Sequence, residues 1–185
     1  MTRYILNIEQ DEYPESPREW DNLGTMYCEH RRYTLGDKKA EDIRDDGKLP
    51  FKDYIILPLY GYDHGGLSIS TTGFSCPWDS GQLGYIYVSK EKVRKEYSWK
   101  VLTKARVNKI KEYLRGEVKT YDQYLTGNVY NFVLEKVSMI ATGDGEEELT
   151  EEIDSCCGFY GSDPFKNGMS DYFDAEILAN MQVKY

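Results

Sequence analysis

The chain has 185 residues, with 32 acidic against 23 basic residues, a net charge of −9 and 40 % hydrophobic residues. That is enough chain to bury a real core within one domain, and it excludes disorder along the whole length. No apolar run reaches membrane-spanning length, and the opening Met1-Thr2-Arg3-Tyr4-Ile5 lacks the apolar core of a secretory signal, so a cytoplasmic protein with four reduced cysteines and no membrane partner is expected.

The charge is unevenly spread: residues 1–50 carry −4, residues 51–140 carry +4 and residues 141–185 carry −9. A basic middle and an acidic end could attract each other, face two surfaces of one partner, or keep the protein soluble. The 17 tyrosines suit half-buried sheet faces and contact surfaces alike.

In chain order, residues 3–8 read as a strand with Tyr4, Leu6 and Ile8 on one face and Arg3, Ile5 and Asn7 on the other. Ser16 caps a short helical turn, because Pro17 then falls at its first position and Glu19 lies three residues after the cap. Residues 25–33 fit a strand or a short helix. Residues 37–48 are strongly charged, with Asp45-Asp46-Gly47 as a turn signal. Residues 54–60 and 67–72 read as hairpin strands joined through Gly61 to Gly66, and Pro58 marks an edge or a bulge.

Residues 84–88 alternate as a further strand, and Ser89 then caps a helix over 90–97. The strongest periodicity follows a second cap at Thr103, where Val107, Ile110, Leu114, Val118, Tyr121 and Leu125 lay one apolar stripe along a helix that Gly127 stops. Gly116 lies inside this helix and weakens it by about 1 kcal/mol relative to alanine. Residues 129–139 read as a strand, Gly143-Asp144-Gly145 and the glutamates after it as an acidic turn, residues 153–159 as the hairpin partner, and residues 169–181 as a terminal helix with Ser170 as an alternative cap. Strands outnumber long helices and no glycine-punctuated βαβ repeat appears. The expectation is an α+β fold: a single compact domain over 1–185 with a mostly antiparallel sheet, one long amphipathic helix and shorter helices, and residues 162–185 as a candidate C-terminal helical appendage.

Rare residues crowd into three segments: Pro17-Arg18-Glu19-Trp20-Asp21-Asn22-Leu23-Gly24-Thr25-Met26, Phe74-Ser75-Cys76-Pro77-Trp78-Asp79-Ser80-Gly81-Gln82-Leu83-Gly84 and Gly158-Phe159-Tyr160-Gly161. Together with Tyr33-Thr34-Leu35-Gly36-Asp37, Ile55-Ile56-Leu57-Pro58-Leu59-Tyr60 and Tyr121-Asp122-Gln123-Tyr124-Leu125-Thr126-Gly127, they resemble a family of small acidic proteins of phages, prophages and mobile elements. The likeness covers most of residues 3–161 and leaves 162–185 outside it. It implies an anti-CRISPR role in the bacterial host cytoplasm, against a single-protein, RNA-guided nuclease. It carries over no catalytic or binding residues. The segments around Trp20, Trp78 and Phe159 are expected to specify the fold, and the charged surfaces to carry function.

Four constellations bear on chemistry. His30 beside Glu29, and His64 beside Asp63 with Cys76 as a thiol, could form a small Cys/His hydrolase or nuclease site, although neighbours on a strand point to opposite faces. Cys28-Glu29-His30 with Cys156-Cys157 lacks the spacing of a zinc ribbon or finger, the stretch from Gly61 to Gly66 lacks the Lys-Ser/Thr of a phosphate loop and Gly81-Gln82-Leu83-Gly84 precedes its strand rather than following it, so no metal and no cofactor is expected. Lys90, Lys92, Arg94, Lys95, Trp99, Lys104 and Arg106 have the composition of a nucleic-acid face, but equally that of the solvated side of two helices, and the net charge opposes broad phosphate binding.

Asp144, Glu146, Glu147, Glu148, Glu151, Glu152 and Asp154 are sufficient for an acidic patch that mimics nucleic acid toward a protein partner, or for an ordinary solvated turn. The favoured expectation is a non-enzymatic inhibitor of a nucleic-acid-targeting host defence protein, a CRISPR nuclease with its guide RNA above all, bound through those acids. The alternatives are a nucleic-acid-binding accessory protein using residues 90–111 and the Cys/His enzyme.

Overall fold

Alternating apolar residues near the start produce a strand, yet both of its faces are buried. Tyr4, Leu6 and Ile8 lie under one side and Ile5 under the other, the pattern of a central strand. The computed structural model describes residues 2–37, 52–143 and 145–185. In order these form β1 (Arg3–Gln10), a 3-10 turn (Pro17–Glu19), β2 (Thr25–Cys28), β3 (Tyr54–Asp63), β4 (Leu67–Ser70), β5 (Ser80–Ser89), α1 (Lys90–Glu96), α2 (Lys104–Leu125), β6 (Val129–Thr142), β7 (Gly145–Tyr160), a second 3-10 turn (Met169–Tyr172), α3 (Ala175–Asn180) and β8 (Met181–Lys184). The fold is α+β, with two largely antiparallel sheets and few helices. No helix among the described residues is long and apolar enough to cross a membrane. Apart from Asp37, the charged stretch over 37–48, with Asp45-Asp46-Gly47, lies outside the described residues.

The chain divides into two compact units, Met1–Glu15 with Gly127–Tyr185, and Ser16–Thr126. In the first, the strand order is β7-β6-β1-β8; β1 runs antiparallel to β6 and parallel to β8. Its core gathers Leu6, Ile8, Phe132, Leu134, Phe159, Met169 and Phe173. The Phe132 ring lies 5.1 Å from that of Phe173 and 5.5 Å from that of Phe159, within the range of favourable aromatic pairing.

In the second unit the order is β2-β5-β3-β4, antiparallel throughout, with α2 packed on the sheet. The predicted stripe delivers Ile110, Leu114, Val118 and Tyr121 into a core with Leu57, Leu59, Ile69 and Ile86. Complete burial of each such aliphatic side chain contributes about 2 kcal/mol. The caps form as read: Ser16 accepts from the Arg18 amide, Ser89 from Lys92 and Thr103 from Arg106. Asp122 then ties α2 to β4, its Oδ1 accepting from Ser68 Oγ and the Ile69 amide, both at 2.7 Å. Gly24 permits the close approach of the 22–24 loop, since a Cβ there would lie 2.5 Å from Leu114 Cδ2 and 2.9 Å from Ile86 Cδ1.

Arg18 joins these parts electrostatically. Its side chain is 7 % exposed. Its Nε donates to Asp37 Oδ1 at 2.9 Å, a terminal nitrogen to Asp37 Oδ2 at 2.5 Å and to the Gly24 carbonyl at 2.8 Å, and the other to Glu117 Oε2 at 3.3 Å. The same carboxylates receive backbone donors: Asp37 from the Met26 amide, Glu117 from the Leu23 and Gly24 amides. Burial alone would lower the Arg18 pKa, but the hydrogen bonds and charges of Asp37 and Glu117 outweigh it and hold the guanidinium above its ordinary value.

Two readings of the sequence need correction. The glutamates 146–148 form strand rather than turn, because each faces a residue of β6 across the ladder, Glu146 with Ala141, Glu147 with Ile140 and Glu148 with Met139; cross-strand pairing overrides weak intrinsic strand preference. The terminal helix over 169–181 breaks into a 3-10 turn, a six-residue α3 and a strand. Asp174 restarts the helix by capping the Ile177 amide, and Met181 pairs with Tyr4. The bulge expected near Pro58 is present at Leu59/Tyr60, and Pro58 pairs with β5 alone because β4 reaches only Tyr60 to Asp63. Of the three rare-residue segments, Phe159 is buried, but Trp20 is 43 % and Trp78 91 % exposed.

Two outcomes follow from the second unit. Arg18→Ala leaves Asp37 and Glu117 without their shared cation and is expected to lower unfolding free energy by about 3 kcal/mol, read from urea denaturation. Cys28 is pushed up to about 12 by burial first and the Asp37 charge second. Because the folded pKa exceeds the unfolded one, its contribution to stability is complete below the ordinary thiol range and is lost as pH rises from there toward 12. At pH 8, iodoacetamide should therefore label exposed Cys157 in the native protein and reach Cys28 only in denaturant.

Candidate functional site

β1 pairs with β6 only as far as Val137, so the five pairs from Ser138/Leu149 to Thr142/Gly145 continue the β6–β7 hairpin without a third strand. At about 3.4 Å per residue this overhang is about 17 Å long. β7 is also the edge strand of its sheet, and most of its residues are exposed on both faces.

All the predicted acidic residues except Asp144, which lies outside the described residues, fall on this strand and are exposed. Pairing sorts them by face. Glu146, Glu148 and Glu152 stand with Ala141, Met139 and Glu135, while Glu147 and Glu151 stand with Ile140 and Lys136. Glu152 opposite Glu135 is a like-charge pair, which weakens a sheet, and Glu135 is steadied by Asn7 Nδ2 at 2.9 Å. Arg3 forks onto Glu148 at 2.8 and 3.1 Å, an exposed pair of small energetic weight.

The hairpin also carries Met139, Ile140, Leu149 and Ile153, each 39 to 48 % exposed. Sequence reasoning missed them as surface residues because β1 stops at Val137 and leaves Met139, Ile140 and Leu149 uncovered, while a register shift between Leu134 and Glu135 leaves Ile153 out of the one-to-one pairing. Apolar side chains flanked by carboxylates on an overhanging edge form a surface suited to contact.

The basic segment is brought together but partly consumed. Lys90, Lys92, Arg94 and Lys95 lie on α1, Trp99 between the helices, and Lys104 and Arg106 in the first turn of α2. Lys90 Nζ donates to the Lys52 carbonyl, and Lys92 Nζ to the Asn22 and Leu23 carbonyls at 2.8 and 3.0 Å. Arg106 donates to the Val101 carbonyl and lies 4.8 Å from the Trp99 ring, which itself stacks on Tyr97 at 4.6 Å. These cations and rings hold loops in place, which favours the solvated-helix reading over a phosphate track.

His64 and Cys76 do converge, through Asp79: His64 Nδ1 lies 3.0 Å and Cys76 Sγ 3.7 Å from the same Oδ2. An imidazole activates a thiol by receiving its proton, whereas here the atom beside sulfur is a carboxylate oxygen. His30 is placed differently. Its Nδ1 accepts from the Arg32 and Tyr33 amides at 3.1 and 3.3 Å, and its Nε2 faces Asp63, which Arg32 also contacts. Among the described residues no three His, Cys, Asp or Glu side chains are arranged to hold a metal ion.

The contrast within α1 is measurable: Lys92→Ala should lower stability by about 1 kcal/mol through its two lost carbonyl contacts, and exposed Lys95→Ala by none measurable, both read from urea midpoints. Comparison with protein-family models, with curated proteins and with solved structures finds no match to this chain.

Proposed function

We propose that this protein is a non-enzymatic inhibitor that binds a nucleic-acid-targeting effector of a bacterial host, an RNA-guided nuclease above all, by laying the β6–β7 arm in a basic channel that otherwise holds nucleic acid. The observation that carries this reading is the edge strand β7, acidic, exposed along most of its length and overhanging β1 at its first residues. From Glu146 to Asp154 the strand spans about 27 Å, so its six carboxylates fall at intervals of roughly 5 Å. Phosphates follow one another every 3.4 Å or so along one strand of DNA and about every 1.7 Å along a duplex, so the arm matches the charge density of a single strand better than that of a duplex. The carboxylates would speed encounter with a cationic groove, and Met139, Ile140, Leu149 and Ile153 would supply the desolvated contact that holds the complex.

The resemblance of the Trp20, Trp78 and Phe159 segments to small phage and mobile-element proteins supports a defence nuclease as the partner in this reading. The test is cleavage of target DNA by a purified single-protein, RNA-guided nuclease, titrated with this protein at low and at moderate salt. The wild type should inhibit, more strongly at low salt, and Glu146→Lys with Glu147→Lys and Glu148→Lys should raise the half-inhibiting concentration by about a hundredfold at low salt. Unchanged inhibition by the triple variant removes the arm from the mechanism.

A further inference from the structure

α2 carries a glycine for which neither packing nor backbone geometry gives a reason. A Cβ at Gly116 would meet no atom within 4 Å, and its φ is not in the left-handed region. An interior glycine weakens a helix, so open space beside it is the feature to explain. That space is an open surface groove of about 480 Å³ within the second unit, bordered by Pro17, half-exposed Trp20 and Tyr113, and exposed Gly116, with Lys109 and Glu112 at its side. The volume is typical of a small-molecule site, and the lining is mainly apolar.

The walls are braced before any ligand arrives. Asn22 Nδ2 donates to the Pro17 and Trp20 carbonyls at 2.8 and 2.9 Å, holding the Trp20 turn closed. The lining carboxylates are already engaged: Glu117 with Arg18 and the Leu23 and Gly24 amides, Glu112 with Arg115 at 2.5 Å. The Lys109 ammonium, by contrast, has the Tyr113 ring at 5.8 Å as its contact among the described residues. Two aromatic side chains favour an aromatic guest, and the cation left without a carboxylate favours an anionic substituent on it.

The geometry points to a binding site, between the Trp20 turn and the Gly116 face of α2, for a small planar aromatic anion. Nothing in it depends on the acidic arm. The probe is anilinonaphthalenesulfonate, whose fluorescence rises on entering an apolar site, with uncharged N-phenylnaphthylamine as the control. Both should bind the native chain at one site. Gly116→Leu, which fills the groove from the helix, should weaken both by about tenfold or more while the urea midpoint holds or rises, so lost binding cannot be lost folding. Lys109→Ala should weaken the sulfonate about fivefold and leave the neutral dye unchanged. Undiminished dye binding in Gly116→Leu overturns the site, and an equal response of the two dyes to Lys109→Ala overturns the anionic preference.

Discussion

The second unit is organised around one buried guanidinium. Arg18 reaches the Gly24 carbonyl directly, and through Asp37 and Glu117 it reaches the Met26 amide at the start of β2 and the Leu23 and Gly24 amides above α2. Turn, strand, helix and loop are thereby held by groups that would each be costly to bury alone. The geometry has to be complete to be favourable, because a planar fork makes four hydrogen bonds here, two of them side by side on Asp37, where an ammonium has only three donors and no fixed fork. Gly24 and the α2 stripe make the close approach possible, and the ion network fixes which loop makes it.

What could be read from the chain alone was whatever one segment decides for itself. Ser16, Ser89 and Thr103 cap as expected because a cap needs only its own next few residues, and the stripe from Ile110 to Tyr121 is visible because helical periodicity is local. The structure of residues 146–148 was not legible. Three successive glutamates resemble a solvated turn until a partner strand sets their conformation, and that partner is chosen by the whole sheet. The same limit hid the strand at 181–184, which exists because β1 presents an edge for it. Trp20 and Trp78 show the limit of residue-type statistics, since neither is buried as tryptophan usually is.

The candidate site was legible in composition but not in form. The C-terminal excess of acid singled out these residues, whereas their arrangement on an exposed edge strand, with Met139, Ile140 and Leu149 uncovered beside Glu146 to Glu148, depends on where β1 stops pairing. The basic segment presents the opposite case. Its composition resembles a nucleic-acid face, but hydrogen bonds from Lys90, Lys92 and Arg106 to backbone carbonyls turn much of it into loop support. Charge counts cannot separate a cation that is available from one already engaged.

The first unit is built from two stretches of chain, and this bears on the order in which the protein assembles. Gln10, at the end of β1, hydrogen-bonds the carbonyl of Gly127, 117 residues later, and the neighbouring β8 comes later still. During synthesis β1 therefore emerges long before either of its partners and must wait with both edges open, while every strand and helix of the unit between, Ser16–Thr126, is already out of the ribosome. The inserted unit can form from contacts wholly its own. The sheet that carries the acidic arm closes after that unit, once β6 and β8 have been made.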